Sequence, residues 1–156
     1  MKNNNVVLHY RSLFLTVFFL FTYSVIQAQY FQLGSGLSAS HASANGSVVV
    51  GDNGAEHFMW TESGGVVLIG GVAPSGYGGR TSISGDGSLI AGTRINPNNN
   101  LGELSSYEIA SQTWTSHGSL GSSSGNSASS AWGISSDGSA IVGLGWVNAG
   151  SAHAIK

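Results

Sequence analysis

A ten-residue pattern occurs three times in this chain: ASANGSVVVG at Ala42–Gly51, ISGDGSLIAG at Ile83–Gly92 and ISSDGSAIVG at Ile134–Gly143. The copies align without gaps. They share the order apolar, Ser, any, Asn or Asp, Gly, Ser, any, apolar, small apolar, Gly. They start at 42, 83 and 134, so the intervals are 41 and 51 residues. Such self-similarity means one supersecondary unit built several times, each unit needing its neighbours to bury an apolar face.

The pattern has a local physical meaning. Asn45-Gly46, Asp86-Gly87 and Asp137-Gly138 are turn dipeptides, because Gly accepts positive φ and Asn or Asp tolerates it best among the rest. An apolar residue and a Ser precede each dipeptide, and a short β-branched or apolar run follows it. Each copy therefore reads as strand, turn, strand. Ser43, Ser84 and Ser135 are expected to bond the turn backbone. The closing Gly51, Gly92 and Gly143 mark a bend or a close backbone approach.

A second half-unit follows each hairpin. EHFMW (56–60), a polar turn at 61–65 and an apolar strand at 66–69 follow the first. SSYEI (105–109), a turn at 110–112 and a strand from Thr113 follow the second; HAIK (153–156) begins the same strand after the third. Asn96-Pro97-Asn98-Asn99-Asn100 reads as an exposed loop. No segment after residue 28 has sustained helical periodicity. The expected class is all-β: a partial β-propeller-like array of four-stranded antiparallel units, at about 37–78, 79–128 and an incomplete 129–156. Units of 40–50 residues have the size of propeller blades. A β-solenoid has shorter, more uniform coils. Two blades and part of a third fall short of the roughly four to eight of a propeller. The expectation is a fragment of a longer protein, or part of an oligomeric ring.

Residues 1–28 have another character. Lys2 and Arg11 precede a nearly continuous apolar run, Leu13 to Ile26, and Ala28 offers a small residue for cleavage. This is the pattern of a secretory signal peptide, helical while it is present, with 29–156 as the mature repeat region. The run is shorter than the roughly 20 residues of a membrane-spanning helix. The expected location is secreted or cell-surface.

The alternation of the (A/I)S-x-(D/N)GS-x-(V/I)-x-G hairpin with a strand such as HFMW or HAIK resembles the HAF family of extracellular bacterial repeats. The resemblance covers roughly residues 37 to 156, as in SSAWGISSDGSAIVG and AEHFMWTESGGVVLIGG. It implies a cell-surface or extracellular location and a propeller-like fold. It implies no catalytic residue.

Composition removes several kinds of chemistry. Among 156 residues there is no Cys, which excludes disulfides, thiolate metal sites and a cysteine nucleophile. Five Lys and Arg against seven Asp and Glu give a net charge of −2, without the basic footprint that nucleic acid requires. Asp86 and Asp137 share a repeat position with Asn45, which favours turn formation over catalysis or metal binding. DGS lacks the spaced oxygens and terminal Glu of a calcium loop. His41, His57, His117 and His153 have no His neighbour at metal-site spacing. His57 and His153 read as equivalent repeat positions with a packing or hydrogen-bonding role. No G-x-S-x-G nucleophile elbow sits between a strand and a helix. Asp52, Glu56, Glu62, Glu103 and Glu108 read as solvated carboxylates. Trp132 and Trp146 flank the third hairpin. They are either inter-sheet filler or a stacking surface for the apolar face of a sugar.

The sequence therefore favours a non-catalytic secreted or cell-surface repeat module, a binding or scaffold part of a larger protein. The alternative is a carbohydrate-active or carbohydrate-binding surface protein. No catalytic, metal or cofactor-binding residue is assigned, and no cofactor is expected. The expected partner is an extracellular protein or glycan, with self-association to complete a ring as a further expectation. Contact with a membrane is expected only through an uncleaved signal segment.

Overall fold

The computed structural model describes residues 30–71 and 79–156. Residues 1–28, expected to be a signal peptide, lie outside the described residues. Two compact units separate at Met1–Gln32 and Leu33–Lys156; the fold below is that of the second. Its described residues contain only strands and turns. Among the described residues, eleven strands form three antiparallel sheets. The first holds β1 (Ser38–Ala42), β2 (Val48–Asp52), β3 (His57–Thr61) and β4 (Gly65–Gly70) in sequential order. The second holds β5 (Ser82–Ile83), β6 (Leu89–Asn96), β7 (Leu101–Glu108) and β8 (Thr113–Ser116) in the same order. The third holds β9 (Ser129–Ile134), β10 (Ile141–Asn148) and β11 (Ser151–Ile155).

The three decapeptides fold alike. In each, the Ser N–H donates to a carbonyl five residues on: Ser43 to Val48 at 2.9 Å, Ser84 to Leu89 at 2.9 Å, Ser135 to Ala140 at 2.8 Å. Four residues thus lie in each loop, more than the two of the tightest hairpins. Positive φ falls on Gly46 (71°), Gly87 (76°) and Gly138 (71°), and not on the Asn or Asp before them. The Asn or Asp acts instead through its side chain. Asn45 Oδ1 accepts from the Ser43 and Ser47 hydroxyls and from the Ser47 N–H. Asp86 and Asp137 Oδ1 do the same within their own copies. The first Ser hydroxyl also accepts the N–H that opens the next strand, from Val48, Leu89 or Ala140.

These bonds hold both carboxyls below the ordinary carboxylate range. For Asp137 the Ser135 hydroxyl is the main cause, with the Ser139 N–H and hydroxyl next, and its pKa falls to about 2. Asp86 shifts the same way, chiefly through Ser84. The turn's contribution to stability is therefore complete above the unfolded value of 3.8 and is lost as pH falls from there through about 2. Asp137→Ala is expected to lower the urea midpoint slightly and Asp137→Asn hardly at all, since the amide oxygen keeps the acceptor. Equal midpoints for all three proteins would contradict this account of the turn.

Strand alternation sends successive side chains to opposite faces, and the repeat uses this consistently. The ninth residue of one copy meets the first and eighth of the next. Val50 packs with Ile83 and Ile90, together with Ile69 and Tyr107. Ala91 packs with Leu104 and Ala131, with Ile134 and Ile141 against them. Val50, Ile83 and Ile90 are essentially removed from water. Full burial of each stabilises the stack by about 1.5–3 kcal/mol. The copies are also stitched at their turns. The third residue of one donates to the third residue of the next: Ala44 N–H to the Gly85 carbonyl at 2.9 Å, Gly85 N–H to the Ser136 carbonyl at 2.7 Å.

The Asn96–Asn100 segment supplies an exposed turn, as expected, at the tip of a long hairpin. β6 and β7 pair along eight residues each, from Leu89↔Glu108 to Asn96↔Leu101. The asparagines form only the tip, where Asn100 takes φ 58° and donates its N–H to the Asn96 carbonyl at 2.8 Å.

Candidate functional site

Three places concentrate polar or apolar groups of interest. The first is the seam between the first two sheets. His57, at the start of β3, is fully buried. Its Nδ1 lies 2.7 Å from Thr81 Oγ1 and its Nε2 lies 3.0 Å from the Thr93 carbonyl. The Thr81 hydroxyl also donates to the Gly51 carbonyl at 3.2 Å and the Thr93 N–H reaches Nε2 at 3.3 Å, so both ring nitrogens have partners in either neutral tautomer. The Trp114 ring stands 5.7 Å away by centroid, and Trp114 Nε1 donates to the Ile69 carbonyl at 2.6 Å. Burial lowers the His57 pKa below 6.5, only partly offset by the Thr93 carbonyl, Asp52 and Glu56. An imidazole locked on both nitrogens has no lone pair left for a metal or a substrate. Ser40 Oγ to the Thr81 carbonyl (2.6 Å) and Ile83 N–H to His41 Nδ1 (3.0 Å) extend the seam.

His57 and His153 are not equivalent in the structure. His57 pairs with Asp52, one residue past Gly51, whereas His153 pairs with Gly145, two past Gly143. A one-residue slip reverses the face, and His153 is exposed. The repeated letters H-x-x could not reveal that slip.

The second place is a cleft of about 510 Å³ between the second and third sheets, lined by Leu89, Leu104, Ser106, His117, Ile141 and Lys156 among others. Ser106 Oγ and His117 Nε2 are 2.8 Å apart there. A hydroxyl on an imidazole is the first half of a nucleophile and base pair, but such a pair works when a third group orients the ring and donors await the oxyanion. What lines this cleft besides the pair is mainly aliphatic. The pairing was not legible in the sequence, because β7 and β8 are brought into register by their hairpin. Among the described residues, no group of three or more His, Asp or Glu could hold a metal ion.

The third place is the outer face of the third sheet. Trp132, Val142, Leu144, Ala154, Ile155 and Lys156 border an open apolar groove of about 650 Å³. Trp132 is 41% exposed and Val142 48%. The two tryptophans singled out as stacking candidates part company here. Trp146 is only 8% exposed, so its ring is filler rather than an offered surface. It alternates onto the same face of β10 as Val142 and Leu144 but is covered there, and its backbone N–H donates to the Ala128 carbonyl at 3.0 Å. Glu103 also differs from expectation. It is buried, and its two oxygens accept from Asn96 Nδ2 at 2.8 Å and Asn99 Nδ2 at 2.7 Å. A carboxylate held by the amides of its own hairpin tip is a structural clasp. The six turn residues Asn45, Gly46, Asp86, Gly87, Asp137 and Gly138 all lie in the three hairpin loops.

No protein-family model matches the chain, and no curated protein matches it in sequence. Solved structures do. The chain is similar to the crystal structure of TolB from Acinetobacter baumannii, with a TM-score of 0.50 and 15% identity over 76% of this chain. A TolB structure from Agrobacterium tumefaciens matches with a TM-score of 0.48 and 12% identity over 76% of this chain. The chain spans 28% of the first and 42% of the second. The likeness to the first shows the fold: an all-β, partial propeller-like stack of antiparallel sheets.

Proposed function

We propose that this chain is a non-catalytic repeat module of an extracytoplasmic protein, of the HAF type, that binds another macromolecule through loops held on a rigid sheet stack. The observation that carries the reading is where its chemically capable side chains are spent. His57, Asp86, Asp137 and Glu103 are each committed to internal bonds that join strands, turns or sheets. Rigid stacks commonly present their binding function on connecting loops. The Lys2, Arg11 and Leu13–Ile26 pattern supports export, and the TolB-like fold is compatible with a binding role.

Two measurements test the reading. Expressed from its own start in a bacterial host, the chain should leave the cytoplasm and carry Gln29 at its new N-terminus; retention of Met1 in the cytoplasm would refute export. A fluorophosphonate probe, which labels activated serine, should leave the protein unlabelled. Labelling that disappears in Ser106→Ala and in His117→Ala would make the cleft a catalytic site and overturn the non-catalytic reading.

A further inference from the structure

We propose that the outer face of the third sheet receives the first-repeat turn of a second copy of this chain, head to tail. The argument extends an interface that the structure already contains twice, and it stands independently of the function proposed above. In the turn-to-turn ladder, Ala44 donates to Gly85 and Gly85 donates to Ser136. The next donor in the series is the Ser136 N–H, on an exposed residue. The missing acceptor in the series is the Ala44 carbonyl, also on an exposed residue. One chain thus carries both complementary ends.

The side chains repeat the same relation. A Cβ placed on Gly87 would meet Ser43 and Val48 at 3.4 Å, and one on Gly138 would meet Ser84 at 3.7 Å and Leu89 at 3.8 Å. The turn Gly of each copy therefore nests against the second and seventh residues of the copy before it. At Gly46 a Cβ would meet nothing within 4 Å. The residues that should receive it, by position, are Ser135 and Ala140 of the third copy. The ninth residue tells the same story: Val50 and Ala91 are 0% exposed against the next sheet, while Val142 is 48% exposed beside Trp132.

Sterics at the new junction favour this pairing. A Cβ on Gly85 would lie 2.2 Å from Ser136 Oγ, 3.0 Å from the Ser136 carbonyl oxygen and 3.4 Å from Ser136 Cβ, so the hydroxyl is the severe obstacle and the backbone must give by only a few tenths of an ångström. Two side chains can therefore face each other at this rung only if the acceptor has no atom beyond Cβ. Ala44 meets that condition; a second Ser136 would not. The contact is heterologous, so copies would either close into a ring or extend as a filament.

Sedimentation velocity of the purified chain over a wide concentration range tests the proposal. The wild type should rise from the mass of one mature chain to two or more chains as concentration increases. Ser136→Pro removes only the donor and keeps the carbonyl that Gly85 uses. Ser136 follows the first residue of a turn closed by Gly138 N–H to the Ser135 carbonyl, a position that favours Pro. Val142→Asp charges the exposed face without touching the core. Each variant should return the mass to one chain while near-UV circular dichroism stays native. A wild type that stays at one chain throughout overturns the proposal, as do assemblies unchanged by Val142→Asp. A monomer whose Trp132 fluorescence shifts with a glycan panel would overturn it in favour of a sugar occupant.

Discussion

His57→Ala is expected to destabilise the protein by about 3–5 kcal/mol, enough to unfold much of the population of an ordinary domain of this size. The loss has two parts. Removing a fully buried ring leaves a cavity between the first two sheets, beside Trp114 and against Gly71 and Gly92. It also strips the Thr81 hydroxyl and the Thr93 carbonyl of a common partner. Chemical unfolding followed by near-UV circular dichroism measures the effect, and a midpoint within experimental error of wild type would remove His57 from the seam.

The same residue makes stability depend on pH. Its folded pKa lies below 6.5 because burial disfavours the charged ring. The neutral form is therefore the one that folding selects. His57 contributes its full stability above the unfolded pKa of 6.5. As pH falls below that value the unfolded chain takes up a proton that the folded chain refuses, and stability declines by at most about 1.4 kcal/mol per pH unit. Urea midpoints should therefore be flat just above pH 7 and fall toward pH 5. A flat profile across that range would mean that the ring is charged or exposed in the folded state.

Gly51→Ala is expected to cost about 3 kcal/mol or more, although it adds a single methyl group. A Cβ there would sit 2.0 Å from the Ser38 carbonyl oxygen, 2.8 Å from Phe58 Cε1 and 2.9 Å from Ala39 Cα. Two of the three obstacles are backbone, so relief requires β1 to move away from β2. The register of β1 on β2 slips between Ala39 and His41, next to the Ala39↔Gly51 pair. Gly143 repeats the geometry, with the Ser130 carbonyl oxygen at 2.0 Å from a built Cβ and a register slip between Val142 and Gly143. Gly143→Ala should therefore be similarly damaging. A Gly51→Ala protein with a wild-type urea midpoint would show that the strands are farther apart than described.

The sequence by itself determined the unit and its punctuation. Asn or Asp before Gly, with Ser on either side and an apolar pair behind, encodes a loop whose bonds are all local: Ser43 to Asn45, Ser84 to Asp86, Ser135 to Asp137. Because those contacts span two to five residues, the letters carry them directly, and the strands that flank them follow. The tertiary structure alone decided the rest. Which way His57 and His153 face depended on a one-residue difference in pairing. The burial of Trp146 depended on what packs over its ring, since it shares a face of β10 with the exposed Val142, and the letters carry no sign that Trp132 stays open. Ser106 and His117 met because β7 and β8 pair along a hairpin, and Glu103 was clasped because β6 and β7 run four residues beyond the motif. The rung from Ala44 through Gly85 to Ser136 joins positions about 41 and 51 residues apart. Strand register and sheet stacking are cooperative properties of distant segments, and no run of neighbouring residues encodes them.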